Sequence, residues 1–291
     1  MKIWILLWFS SISVLVAQIT VTDNVNAYIN AKEYKKAKSL LLTEIKTNAS
    51  LQNKDLLADV YSYLREWDKA IPIYKELISK NPKNANYHFK YGGAVARKAE
   101  SSSRLRALGL IGTIKKSFLK ASKLDAKHVD TRWGLIDFYV SVPSILGGGA
   151  SKAYTYAGDL QKINPIEGHF AYAYLYANDD KPDKAKKHYL KTLEYIPAIK
   201  NVKRNQLNYL IGKVCGDYNR NLDIGIYRMK IYIQKHTVKD GVSLSEAYYR
   251  LAKLYRLKND KKNANTWISK ALVKESDFKL AKEEKKRINA L

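Results

Sequence analysis

Residues 124–165 read LDAKHVDTRWGLIDFYVSVPSILGGGASKAYTYAGDLQKINP. They hold two helical patterns, Thr131 to Val140 and Ser151 to Lys162, joined by a turn rich in Pro and Gly and closed by Asn164-Pro165. A helix hairpin of this size leaves an apolar face uncovered, so it needs similar hairpins on both sides. The rest of the chain supplies them.

Upstream, Leu57-Ala58-x2-Tyr61 is followed after eight residues by Ala70-x3-Tyr74-x2-Leu77, and after four more by Pro82. The same spacing recurs at Tyr172-Ala173-x2-Tyr176, Ala185-x3-Tyr189-x2-Thr192 and Pro197, and again at Leu251-Ala252-x2-Tyr255, Ala264-x3-Ile268-x2-Ala271 and Ser276. Large residues at helical spacing fill the gap between antiparallel helices, and the small ones sit where two backbones come closest. Pro ends the second helix because it lacks an amide donor and restricts the residue before it.

This spacing resembles the tetratricopeptide repeat, a helix-turn-helix unit of roughly 34 residues. The resemblance implies an all-α fold, a right-handed α-solenoid of antiparallel helix pairs. Tyr28, Ala37 and Leu41 mark a first unit, and Tyr91-Gly92 opens a third whose second helix is anchored by Phe118 and Ala121. Against the template this third unit carries about ten extra residues within 101–112, and the fourth, with Trp133-Gly134 and Ala153, about seven within 143–149. A sixth contains Ile211-Gly212-x2-Cys215, Gly225, Met229 and Tyr232. The count is about seven repeats over residues 18–277, and residues 278–291 read as a charged capping helix, since terminal repeats need a polar outer face. Pro143, Gly147, Gly148, Lys152 and Ala153 also resemble an exported bacterial branch of this superfamily, which shares a Pro-x3-Gly-Gly turn followed by a Lys-Ala helix.

Composition agrees with a folded helical protein: 46% hydrophobic, 22 Tyr, only 14 Gly and 6 Pro in 291 residues. Residues 1–17, MKIWILLWFSSISVLVA, combine one Lys with an uncharged apolar run ending in Ala17. They read as a secretory signal peptide, with a retained membrane anchor as the rival reading. No Cys lies near the cleavage point, which excludes a lipoprotein. Without this segment the chain keeps 51 basic and 27 acidic residues. Such a balance favours acidic partners. Export to the periplasm argues against nucleic acid, and the Lys pairs are scattered over what would be wet helix faces. Cys215 is the single cysteine, so packing rather than an internal disulfide must stabilise the chain.

Catalytic signals are missing from this sequence. Gly147-Gly148-Gly149 lacks the P-loop spacing and reads as an elongated turn. Histidines 88, 128, 169, 188 and 236 form no metal motif, although His128 and His169 are placed to approach one another across neighbouring repeats. Cys215 falls at a core position. Neither an enzyme activity, a cofactor nor a metal is implied.

What remains is the groove. In the superfamily the first helix of each repeat lines the inner face. The resemblance therefore assigns Phe89, Arg97, Tyr139, Phe170, Tyr174, Tyr209, Lys213, Tyr249, Lys253 and Arg256 to a peptide-binding groove. Aromatic rings and cations suit a protein or peptide segment with acidic residues. The Lys and Asn clamp that chaperone-docking members use has no copy here. The expected function is thus a non-catalytic exported scaffold, with two alternatives. One is a peripheral envelope protein held on anionic membrane by the amphipathic insert Arg104 to Phe118, where Leu105, Leu108, Ile111 and Ile114 share one side; a longer hairpin packed on the next repeat accounts for the same residues. The other is a ligand-delivery subunit of a transporter.

Overall fold

The computed structural model describes residues 21–199, 201–202, 204–237 and 240–291. The expected signal peptide, 1–17, lies outside the described residues. Among those described there is no strand, and two compact units divide the chain near Asp125. The first holds α1 (residues 21–30), α2 (Tyr34–Thr47), α3 (Leu51–Tyr63), α4 (Trp67–Lys80), α5 (Ala85–Glu100) and α6 (Arg104–Leu124). The second holds α7 (Val129–Ser141), α8 (Ala150–Ile163), α9 (Pro165–Asn178), α10 (Pro182–Tyr195) and α11 (Asn205–Asp217), then α12 (Leu222–Lys235), α13 (Leu244–Leu257), α14 (Lys261–Lys274) and α15 (Lys279–Asn289). Within each unit successive helices pack on one another, which is the stacking of an α-solenoid.

Local chemistry starts and stops these helices at matching points. Ser50, Asn84, His128, Asn164 and Ser243 each accept a backbone N–H at the start of α3, α5, α7, α9 and α13, satisfying donors that have no partner inside the helix. The turns inside the hairpins are copies of one motif. Lys32, Arg65, Asp180, Asn219 and Asn259 all adopt positive φ, between 52° and 62°. The amide after each one donates back to the carbonyl of Tyr28, Tyr61, Tyr176, Cys215 or Tyr255, at 2.8–3.0 Å. This is a Schellman closure, and using a non-glycine residue there costs about 1 kcal/mol per turn.

Two hairpins depart from the motif where the sequence carries its extra residues. Between α5 and α6 the additions are helical, so that these helices run to 16 and 21 residues against 13–14 for α2–α4. Gly92 lets α5 approach α6: a Cβ there would lie 2.9 Å from the Phe118 ring. Between α7 and α8 the chain makes a 3-10 turn, Ser144–Leu146, and then Gly147 and Gly149 take φ of 91° and 130°. A Cβ on Gly148 would fall 1.7 Å from the Val142 carbonyl oxygen. The three glycine amides donate inward, to Ser144, Pro143 and Tyr139, so the run is a turn and not an anion cradle.

The packing positions read from the spacing fill the cores at both ends: Leu57, Ala58, Tyr61, Ala70, Tyr74 and Leu77 are buried, as are Leu251, Ala252, Tyr255, Ala264, Ile268 and Ala271. The middle copy differs. Tyr172 and Tyr176 are half-buried, and Phe170, Ala171, Ala173 and Leu175 form the buried side of α9. Cys215 is fully buried and its thiol is pushed up to about 12 by that burial, which leaves no thiolate to act as a nucleophile.

Candidate binding surface

In the second unit the first helices of successive hairpins touch directly, α7 on α9, α11 on α13 and α13 on α15. This contact gathers side chains that are 30 to 40 residues apart into two networks. In the first, Glu167 on α9 is only 2% exposed and accepts three hydrogen bonds: from Trp133 Nε1 at 2.7 Å, Arg204 Nε at 3.0 Å and Arg204 Nη2 at 2.6 Å. The Arg204 guanidinium also lies over the Trp133 ring, 4.9 Å from its centroid. Tyr174 leans on Trp133 as well, with ring centroids 6.3 Å apart.

The second network is centred on Asp217 at the end of α11. It pairs with Lys213 at 3.0 Å, Arg250 at 2.8 Å and Lys253 at 2.8 Å. Burial pushes this carboxyl up, but the Lys213 and Arg250 charges and the lysine hydrogen bonds outweigh it and hold the group below the usual aspartate range. Arg250 also donates to Glu246 at 2.7 Å, and Tyr209 Oη donates to the same carboxylate at 3.2 Å. Further along α13, Arg256 pairs with Glu284 of α15, which is 0% exposed and lies 3.5 Å from Arg287.

These networks change the picture of the ten groove residues. Tyr139, Phe170, Tyr209 and Tyr249 are buried rather than offered to a partner: Tyr139 stacks on Tyr156, and Tyr249 meets Phe278 edge-on. Phe89 and Arg97 belong to the first unit, where Phe89 is half-buried against Phe118 and Arg97 pairs with Glu100. Lys213, Lys253 and Arg256 are already bound to carboxylates of this chain. Tyr174, Lys213, Lys253 and Arg256 are the members that remain partly exposed in the second unit beside those networks, with Trp133 as an unforeseen addition. Glu167, Arg204, Asp217 and Glu284 were missed by the sequence reading. The available signal was local: Asp217 follows Lys213 by four residues and Glu246 precedes Arg250 by four, the spacing of facing helix positions.

The expected approach of His128 to His169 is not observed. His128 Nδ1 caps α7 by accepting from Thr131 N at 3.2 Å, and His169 Nδ1 instead lies 3.0 Å from Nδ1 of His188 on α10. One ring must donate and the other accept, so at least one is neutral. Tyr172 and Tyr176 crowd His188, with ring centroids 4.9 and 5.4 Å away. Burial first, then the Lys191 charge, lowers His169; burial, then His169 itself, lowers His188. The unfolded chain therefore takes up these protons first. Stability from the pair is complete above about pH 6.5 and is lost as pH falls through the lowered folded values. The melting temperature is expected to drop as pH falls below about 6.5, and the H169Q/H188Q double variant to flatten that slope; an unchanged slope in the variant would assign the effect elsewhere.

Among the described residues no group of three or more His, Cys, Asp or Glu side chains is arranged to hold a metal ion. A cleft of about 750 Å³ in the first unit is lined by Arg65, Asp68, Lys69, Lys98, Ser102 and Arg106 among others. Two of the hydroxyls that line it, those of Ser101 and Ser102, donate to backbone carbonyls in the last turn of α5.

Residues 55–84 and 245–283 each match the tetratricopeptide repeat. The fold is similar to that of a thermophilic tetratricopeptide repeat protein from Thermus thermophilus, with 18% identity and a TM-score of 0.51 over 74% of this chain and 97% of that one. It is also similar to a chain of the APC/C hetero-tetramer Cut9–Hcn1, with 11% identity and a TM-score of 0.51 over 91% of this chain and 48% of that one. A tetratricopeptide repeat protein from Parabacteroides merdae is 10% identical, with a TM-score of 0.49 over 92% of this chain and 97% of that one. No curated protein matches the chain in sequence. The molecule is an α-solenoid, and it carries tetratricopeptide repeats at residues 55–84 and 245–283.

Proposed function

We propose that this protein is an exported, non-catalytic scaffold that captures a protein or peptide segment on the first-helix face of its second unit. One observation carries the reading: α7, α9, α11 and α13 place Trp133, Tyr174, Lys213 and Lys253, all partly exposed, beside ion networks that bridge neighbouring hairpins. Rings held by such networks offer contact area with little entropy left to lose. The cations are not an open basic field, because Asp217 already binds Lys213 and Lys253. A partner carboxylate would have to exchange with Asp217 for those two lysines, so recognition rests on shape and aromatic contact as much as on charge.

Affinity capture from a crosslinked envelope extract tests this, with the chain beside a K213Q/K253Q/Y174A variant. Arg250 is left intact so that Asp217 keeps one cation when both lysines are removed, and Arg256 because it holds the fully buried Glu284. A partner enriched on the first bait and reduced about tenfold on the second, equivalent to about 1.4 kcal/mol, supports the reading. Equal capture by both baits, with equal melting temperatures, would sink it.

A further inference from the structure

We propose that the outer face of the first half of α6 is a docking surface for an anionic lipid membrane. The inference concerns the first unit and does not rest on the function proposed for the second. It begins with a division of labour along one helix. Ile114, Ser117, Phe118 and Ala121 are buried, and Ile111 is half-buried, so the second half of α6 packs as a longer hairpin should. Leu105 and Leu108 take no part in that packing. They are 81% and 47% exposed, which makes Leu105 one of the most exposed large apolar side chains among the described residues.

These leucines are three positions apart and therefore share a face. Gly109 and Gly112 continue that face and are open, with nothing within 4 Å of where a Cβ would stand. Exposed Lys116, Leu119 and Lys120 extend it. The result is a low ridge on which two leucines project and the backbone behind them can approach a flat surface closely.

Charge selects the occupant. Between Glu100 and Asp125 there is no acidic residue, while Arg104, Arg106, Lys115, Lys116, Lys120 and Lys123 supply six cations. Arg104, Arg106, Lys116 and Lys120 are exposed and flank or continue the leucine ridge. Lys69 and Lys98 line the adjoining cleft with Arg106, and its carboxylates Glu66 and Asp68 are engaged by Lys38, Lys69 and Lys98. Leucines flanked by cations, with no acid over two dozen residues, fit a bilayer whose headgroups are anionic and whose acyl boundary accepts the side chains. A nucleic acid would answer the cations and leave the leucines in water. No helix among the described residues is long and apolar enough to cross a membrane, so the contact is in-plane. Two leucines are a weak anchor by themselves, and stable attachment needs both the apolar and the electrostatic part.

Vesicle flotation tests this with the chain starting at Gln18, so that the apolar run of residues 1–17 contributes no affinity of its own. Vesicles of phosphatidylglycerol with phosphatidylethanolamine are compared with vesicles of phosphatidylcholine, at low and high salt. The chain is expected to float with the anionic vesicles, at least about tenfold more than with the neutral ones, and to be released by salt. L105E/L108E and R104Q/R106Q are each expected to reduce binding about tenfold without altering the melting temperature, since these side chains are exposed. L280E, an exposed position on α15, serves as the control and should bind as the parent does. The proposal is overturned by equal binding of L105E/L108E, by equal binding to neutral vesicles, or by no vesicle binding at all; capture of an acidic protein through the same ridge would reassign it.

Discussion

Replacing Arg204 by Met is expected to destabilise the second unit by about 3–5 kcal/mol, the cost of leaving a buried carboxylate without its cation. Glu167 is 2% exposed, and two of its three hydrogen bonds come from that guanidinium. Trp133 Nε1 alone cannot neutralise it. For a unit of this size the loss corresponds to a fall in melting temperature of roughly 6 °C or more. The informative comparison is the R204M/E167Q double variant. Glutamine still accepts from Trp133 Nε1 and carries no charge, so the double variant should recover a large part of the loss even though it removes one more native group. If R204M melts with the parent, Glu167 is not confined as described; if the double variant is worse than R204M, the ion pair is not the source of the cost. Because Arg204 lies over the Trp133 ring, the same single variant should also shift tryptophan emission in the folded protein.

The network that makes this prediction was the least legible part of the sequence. Helical spacing exposes a core because apolar residues must recur on one face, which is why Leu57, Ala58, Tyr61 and their copies at 251–271 stood out. No equivalent periodicity marks Glu167, Arg204, Asp217 or Glu284. Each looks like one more charge on a wet helix until a residue 28 to 37 positions away meets it. The groove assignment fell short in a related way. Repeat position says which side of a helix a residue occupies, but not whether the next hairpin covers it, and Tyr139, Phe170, Tyr209 and Tyr249 are covered. The insert was half legible: its amphipathic pattern was plain, yet only the three-dimensional packing separates Ile114, which is buried, from Leu105, which is not. His128 looked available for a long-range contact because no spacing signal distinguishes a capping imidazole from a free one.

The second large effect is steric. Gly168 sits in the first turn of α9, where a Cβ would lie 2.2 Å from Gln161 Cα and 2.5 Å from Gln161 N in the last turn of α8. These are backbone atoms, so no side-chain rotation relieves the clash, and the Asn164 cap that joins the two helices leaves little slack. G168A should therefore separate α8 from α9 and cost about 3 kcal/mol of overpacking, against which helix propensity returns about 1. The net loss of about 2 kcal/mol lowers the melting temperature by roughly 4–8 °C. G158A is the matched control on α8: its Cβ meets only the Tyr172 hydroxyl, at 3.2 Å, a flexible side-chain end. There the propensity gain is expected to dominate, leaving stability unchanged or raised by about 0.5–1 kcal/mol. Opposite signs for two Gly-to-Ala changes on adjoining helices would locate the point of backbone contact. Equal signs would mean that α8 and α9 stand further apart, and that the Trp133–Glu167–Arg204 network, whose carboxylate is the residue before Gly168, is held by its own hydrogen bonds rather than by that close approach.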